Sequence, residues 1–359
     1  MITNAKLREL LNGYQDVLDD FRPADGYDCA QLREILLNRG RRAESSTFQD
    51  VAQAYIDELH KSKRSGYAKS LELTCKYFTG FARGDLFLAD ITPATIEGLD
   101  RYMATHSRMN GTTISLMMRN VRTIINRAKK TGLVHYEVEP FASYKFKAAP
   151  VRQLDLPVEV VRKIRDYETK SKRLRMARDL FMLSFYLGGI NLIDLLAIDF
   201  RGDPKSVEYV RAKTRNTNQG GDKVVIPVHE DARAIIKAWM NPRTGKLDFG
   251  CKFTYKNFSR YLTRCIDKLK EALEIKERML FYSARKSFAQ FAADLGMSDH
   301  VIDACLGHST NARGVIRYYT KVRNRQVEMA VNRVIDYVRD PEKYQEVIDQ
   351  QLNLMAMRL

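Results

Sequence analysis

The sequence predicts a mainly α protein of two helical domains, the second carrying a small antiparallel β-sheet. Three observations support this. Apolar residues recur at intervals of three and four along most of the 359 positions. Alternating or β-branched stretches are confined to 207–211 and 223–228, on either side of the turn formers at 216–222. Two breaks interrupt the helical pattern: a polar run at 40–46, and a run with prolines, lysines and aromatics at 139–150. The expected organisation is a helical extension at 1–45, a helical domain at 46–135, a linker at 136–157 and a second domain at 158–359.

The elements follow in order. Leu7, Leu10, Leu11, Tyr14 and Leu18 mark a short amphipathic helix. Thr47 is an N-cap before Phe48, Val51, Tyr55 and Leu59 at helical spacing. Leu71, Leu73, Tyr77, Phe78 and Phe81 mark the next helix. Thr92-Pro93 opens a third, an N-cap followed by proline at the first helical position, with Ile96, Leu99, Tyr102 and Met103 on its face. After the Asn110-Gly111 turn comes the clearest helix in the chain. Ile114, Met117, Met118, Val121, Ile124, Ile125 and Ala128 form its stripe, Lys129 and Lys130 suit its C-terminus, and Gly132 lies near its C-cap. Helices resume over 160–167 and 177–187, followed by the hairpin. The remainder reads as helical, apart from loops near Asn241-Pro242 and Leu306-Gly307. Val327, Val331, Val334 and Val338 form a late stripe that either packs on its own domain or docks on a neighbouring protomer.

Charge narrows the function. Lysine and arginine number 60 against 44 aspartates and glutamates, a formal net charge of +16. That excess points to a polyanionic partner, most often nucleic acid, against the plainer reading of a basic soluble protein. Residues 1–45 carry 7 basic and 8 acidic side chains, 46–150 carry 15 and 10, and 151–359 carry 38 and 26. DNA-facing surface is therefore expected in the last two segments. Cys29, Cys75, Cys251, Cys265 and Cys305 lie far apart, so reduced thiols are expected and a zinc site is not. The N-terminus lacks an apolar signal core, and no run approaches the about 18 apolar residues of a membrane span. A cytoplasmic protein with no membrane partner is expected.

Several residues can carry chemistry. Arg119, Arg122, Asn126 and Lys130 recur opposite the apolar stripe of their helix; such a face either lies along DNA phosphates or is simply solvated. Lys213, flanked at the hairpin by Arg211 and Arg215, both expected to contact DNA, can protonate a departing 5′ oxygen, although a lone lysine there is ordinarily a surface residue. Arg285 opens a helix and offers a planar, permanently charged fork to phosphate oxygens. His308, at the Leu306-Gly307-His308 turn, can bond a phosphate oxygen or move a proton. Tyr319, eleven residues later, carries a phenol that nearby cations can turn into a nucleophile. Each is ordinary alone; the ordered set has one coherent chemistry.

That set resembles the tyrosine recombinase, or phage-type integrase, family. The stretches that carry the resemblance are 284–289, Gly296, Leu306-Gly307-His308-Ser309 and Tyr319-Thr320-Lys321-Val322, within about residues 47–335. The resemblance implies an SAM-like core-binding domain followed by a mainly-α catalytic domain. It implies Tyr319 as nucleophile, Arg285 as second phosphate-binding arginine, His308 as the histidine of the LGH box and Lys213 as general acid. Segment 188–196 resembles the box of the first arginine, where this chain has Asn191. Tyr282 stands where the first histidine of the HxxR box is expected. The spacing from His308 to the tyrosine is about two residues longer than the usual pattern, and Tyr318 competes with Tyr319. The activity implied is site-specific cutting and rejoining of double-stranded DNA through a 3′-phosphotyrosine, by a homotetramer on paired sites, without nucleotide or metal cofactor. Asn191 supports the alternative of a catalytically impaired DNA-binding or regulatory protein on the same scaffold. A type IB topoisomerase relative would use similar chemistry on a single site.

Overall fold

The computed structural model describes residues 46–356, other than 149, 151, 203, 204, 214, 216–222, 252 and 309–321, and a few positions between 4 and 15. Two compact units divide the chain, Met1–Val151 and Arg152–Leu359. Most of the expected N-terminal extension lies outside the described residues. Those described there, among them Leu7 and Leu11, are helical and exposed.

From residue 46 onward the described part of the first unit contains α1 (Phe48–Lys61), α2 (Ser65–Ala82), α3 (Pro93–Thr105) and α4 (Gly111–Lys130). Side-chain caps fix the starts of α1, α3 and α4. Thr47 and Thr92 close reciprocal capping boxes with Asp50 and Thr95, and the Asn110 side chain accepts from the Thr113 amide. The α4 stripe predicted from sequence is buried throughout. In α2 the inward face is Leu71, Thr74 and Phe78, while Leu73 is 46% exposed. Thr74 is tolerated inside because Asn120 of α4 donates to its hydroxyl at 2.9 Å and to Ser70 Oγ at 2.9 Å. Phe48 stacks on Phe78 with ring centroids 3.9 Å apart.

Residues 136–147, which the sequence suggests as the start of a linker, pack on this unit. Tyr136, Phe141, Tyr144 and Phe146 lie against its core. Tyr136 donates to the Leu88 carbonyl at 2.7 Å, and Ser115 of α4 donates to the Lys147 carbonyl at 2.7 Å. The aromatic side chains supply the apolar area that Pro140 and the lysines of this stretch conceal.

The second unit contains α5 (Val158–Arg165), α6 (Lys172–Tyr186), the single turn α7 (Leu192–Leu195), strands β1 (Ser206–Val210) and β2 (Lys223–Pro227), then α8 (Glu230–Trp239), α9 (Tyr255–Ala272), α10 (Ser283–Asp294), α11 (Asp299–Cys305), α12 (Asn324–Arg339) and α13 (Gln345–Ala356). Ser171 caps α6, so this helix begins before the apolar pattern does. The strands pair antiparallel, from Ser206 opposite Pro227 to Val210 opposite Lys223. α6 is buried nearly all round from Met176 to Tyr186 and forms the axis of the core. Its buried Asp179 accepts from Trp239 Nε1 of α8 at 2.7 Å and pairs with Arg178 at 2.7 Å. Val327, Val331, Val334 and Val338 of α12 are buried in this same core, so the late valine stripe packs on its own domain.

The four described cysteines are free thiols. No helix among the described residues is long and apolar enough to cross a membrane.

Candidate active site

An open cavity of about 630 Å³ in the second unit is lined by Asn191, Arg211, Lys213, Tyr282, Arg285 and His308, among others. Five of the six catalytic candidates read from sequence are thus brought together, with Arg211 added. The sixth, Tyr319, lies outside the described residues, as does Tyr318.

Arg285 sits in the first turn of α10 and is only 4% exposed. Its Nη1 donates to the Gly189 carbonyl at 2.9 Å, and its Nη2 donates to the Leu306 carbonyl at 2.7 Å. Both acceptors are neutral, and no carboxylate among the described residues forms an ion pair with Arg285. Burial first, and the charge of Arg211 second, pull its pKa below the usual value. A desolvated cation held by carbonyls and facing a cavity is arranged to receive an anion.

The turn after α6 makes this possible. Gly188 and Gly189 both have positive φ, +67° and +74°. A Cβ on Gly189 would lie 2.7 Å from Arg285 Cα, and one on Gly188 would lie 2.8 Å from the Cys305 carbonyl oxygen. Only glycine allows this approach.

His308 follows α11. Its Nδ1 is 2.7 Å from Asp303 Oδ1, and its Nε2 is 2.9 Å from Arg285 Nη2. The carboxylate accepts from Nδ1–H, so the Nε2 lone pair faces Arg285 and accepts from it. The residue before it, Gly307 (φ +64°), presses on the hairpin: a Cβ there would lie 2.8 Å from Val224 Cγ2 and 3.2 Å from Arg211 Cδ. Arg211 Nη1 donates to the Gly307 carbonyl at 2.9 Å.

Asn191 occupies the N-cap position of α7, yet its side chain makes no capping bond, and it lines the cavity half-buried. Asp194 of the same turn accepts from the Ala212 amide at 2.7 Å, which ties α7 to the chain that carries Lys213. Lys213 is exposed at the cavity wall, and Tyr282 is 44% exposed beside the start of α10. Arg215 is exposed and is not part of the lining.

The first unit presents Arg119, Arg122, Asn126 and Lys130 as one exposed face of α4. The guanidinium carbons of Arg119 and Arg122 lie 5.5 and 5.8 Å from the Phe146 ring centroid, which orders both side chains on that surface.

Sequence reasoning assigned Arg211 to DNA contact and missed it as a cavity residue; it also missed Asp303. A carboxylate five positions before a histidine, across a helix end, was the available signal for the latter.

Residues 47–147 match the phage integrase SAM-like domain. No curated protein matches the chain in sequence. A solved lambda integrase tetramer bound to a Holliday junction is similar in structure, with TM-score 0.53 and 17% identity over 86% of this chain and 88% of that one. The chain has the tyrosine recombinase fold. The Tn1549 transposon integrase in complex with a circular intermediate DNA gives TM-score 0.53 and 12% identity, over 79% of this chain and 99% of that one. A lambda integrase dimer bound to a COC′ core site gives TM-score 0.52 and 18% identity, over 77% and 99%. Within this fold, the cavity is lined from segments 191–194, 211–213, 255–263 and 280–285 and by His308.

Proposed function

We propose that this protein is a site-specific DNA recombinase or integrase that cuts and rejoins double-stranded DNA through a 3′-phosphotyrosine. The observation that supports this most directly is the buried Arg285 donating to His308 in a cavity that Lys213 also lines.

The scissile phosphate seats against Arg285, whose fixed donors stabilise the added negative charge of the pentacoordinate phosphorus. Tyr319 Oη forms the new bond to phosphorus, and its proton passes to His308 Nε2, which exchanges the hydrogen bond from Arg285 for that proton as the guanidinium turns to the phosphate. The bond to the 5′ oxygen breaks, and the Lys213 ammonium protonates that oxygen. A 5′ hydroxyl from a partner strand reverses the steps, so the energy of the broken bond is retained in the tyrosyl link. Side-chain cations carry the charge neutralisation, and no nucleotide or metal is required by these steps. Arg119, Arg122, Asn126 and Lys130 contact the DNA backbone from the first unit, and Arg215 does so from the second. A homotetramer on paired sites completes strand exchange, and the protein acts in the cytoplasm.

The test begins with duplexes selected by the protein from a random library, rebuilt as a nicked suicide substrate. Wild type forms an SDS-resistant protein–DNA adduct, and Tyr319→Phe abolishes it. Asn191 favours a second reading, a DNA-binding protein without cleavage. Tight binding of the selected duplex with no adduct on any nicked derivative would establish that reading instead.

A further inference from the structure

We propose that Arg211 supplies the second phosphate-binding guanidinium of this cavity, taking the electrostatic place that Asn191 leaves neutral. The inference rests on the recombinase reading above and names a residue that reading does not use. Arg173, Arg175, Arg178 and Arg201 lie near Asn191 in the sequence, and none of them lines the cavity. Arg211 does line it, together with Arg285, His308 and Asn191.

Its position is built rather than incidental. The Gly307 carbonyl, adjacent to His308, holds its Nη1 at 2.9 Å. Gly307 has no Cβ, and a Cβ there would crowd Arg211 Cδ at 3.2 Å. Arg211 precedes Lys213 by two positions where the chain leaves β1, and both reach the same cavity. The Asp194 bond to the intervening Ala212 amide fixes that stretch at 2.7 Å. The Arg211 charge also disfavours the charged form of Arg285. A phosphate entering the open cavity meets both positive charges on its lining. Asn191 donates a hydrogen bond and no charge; Arg211 restores the second charge from the hairpin instead of from α7.

The experiment uses the full chain and the nicked suicide duplex built on its selected sequence, at saturating DNA. Arg211→Ala lowers the single-turnover cleavage rate by about 100-fold or more, as expected for loss of one charge-stabilising donor. DNA affinity stays within about threefold, since one phosphate contact among many is removed. Asn191→Arg in the Arg211→Ala background recovers at least about tenfold, a rescue that a purely structural role for Arg211 does not produce. If Arg211→Ala melts at a lower temperature than wild type, Arg211→Lys carries the test. It keeps a charge and its stem, and loses about tenfold in rate because the fork is gone. Cleavage by either variant at the wild-type rate, or absence of rescue by Asn191→Arg, overturns the inference. A wild type that binds the duplex and never forms the adduct overturns the recombinase reading and this inference together, so the two failures are distinguishable.

Discussion

Asp303 holds the ring of His308: its Oδ1 lies 2.7 Å from Nδ1, and the opposite ring nitrogen is thereby aimed at Arg285. The carboxylate fixes both tautomer and orientation. Asp303→Asn offers an amide in its place, which can present a donor to Nδ1 and stabilise the wrong tautomer. Adduct formation should fall by about 10- to 100-fold, within the range a positioned proton-transfer group contributes. DNA affinity measured in parallel should hardly change, because Asp303 bears no positive charge toward phosphate. Equal losses in affinity and rate would show that Asp303 serves the fold rather than the histidine.

Gly189 sets the distance between the turn after α6 and the helix that carries Arg285. Its φ is +74°, and a Cβ would meet Arg285 Cα at 2.7 Å and Cγ at 2.8 Å. Gly189→Ala should destabilise the protein by about 2–4 kcal/mol, from left-handed backbone strain plus overpacking. Chemical denaturation reads this, and cleavage should be lost at temperatures where the variant is still folded. A neutral effect on stability would mean that the turn can move away from α10.

His229 gives the second unit a pH dependence. It caps α8, its Nδ1 accepting from the Asp231 amide at 3.2 Å, which requires that nitrogen to be unprotonated. Burial lowers its pKa, opposed by Asp231 and reinforced by Arg339. The folded protein therefore takes up this proton less readily than the unfolded chain. The associated stability is complete above the unfolded value near about 6.5 and declines as pH falls below it. Thermal melts at about pH 7.5 and about pH 5.5 should show the decline in wild type, across a window where carboxylates remain ionised. His229→Ser retains a capping oxygen and should flatten it. A wild type equally stable at both values contradicts the assignment.

Much of the architecture could be read from side-chain spacing. α1, α3 and α4 carry their caps and apolar stripes in adjacent residues, so local pattern and tertiary burial coincide. The exceptions have long-range causes. Thr74 replaces Leu73 on the inner face of α2 because Asn120, 46 residues away, satisfies its hydroxyl. Residues 136–147 resemble a linker by their charges and Pro140, and only the fold shows that Phe141, Tyr144 and Phe146 complete a core. In the site, Arg285 and His308 were legible as types in order. The burial of Arg285 was not, because the carbonyls that bind it come from positions 189 and 306. Arg211 looked like a DNA-facing neighbour of Lys213, and only the packing of Gly307 against the hairpin brings it into the cavity.

The most direct measurement is the identity of the residue joined to DNA. Wild-type protein trapped on the nicked duplex is digested, and the peptide that retains the nucleotide is sequenced by mass spectrometry. The account predicts the bond on Tyr319, with the phosphate at the 3′ end of the cut strand. A bond on Tyr318 or on any other side chain, or a cut that leaves the phosphate on the 5′ end, would contradict it.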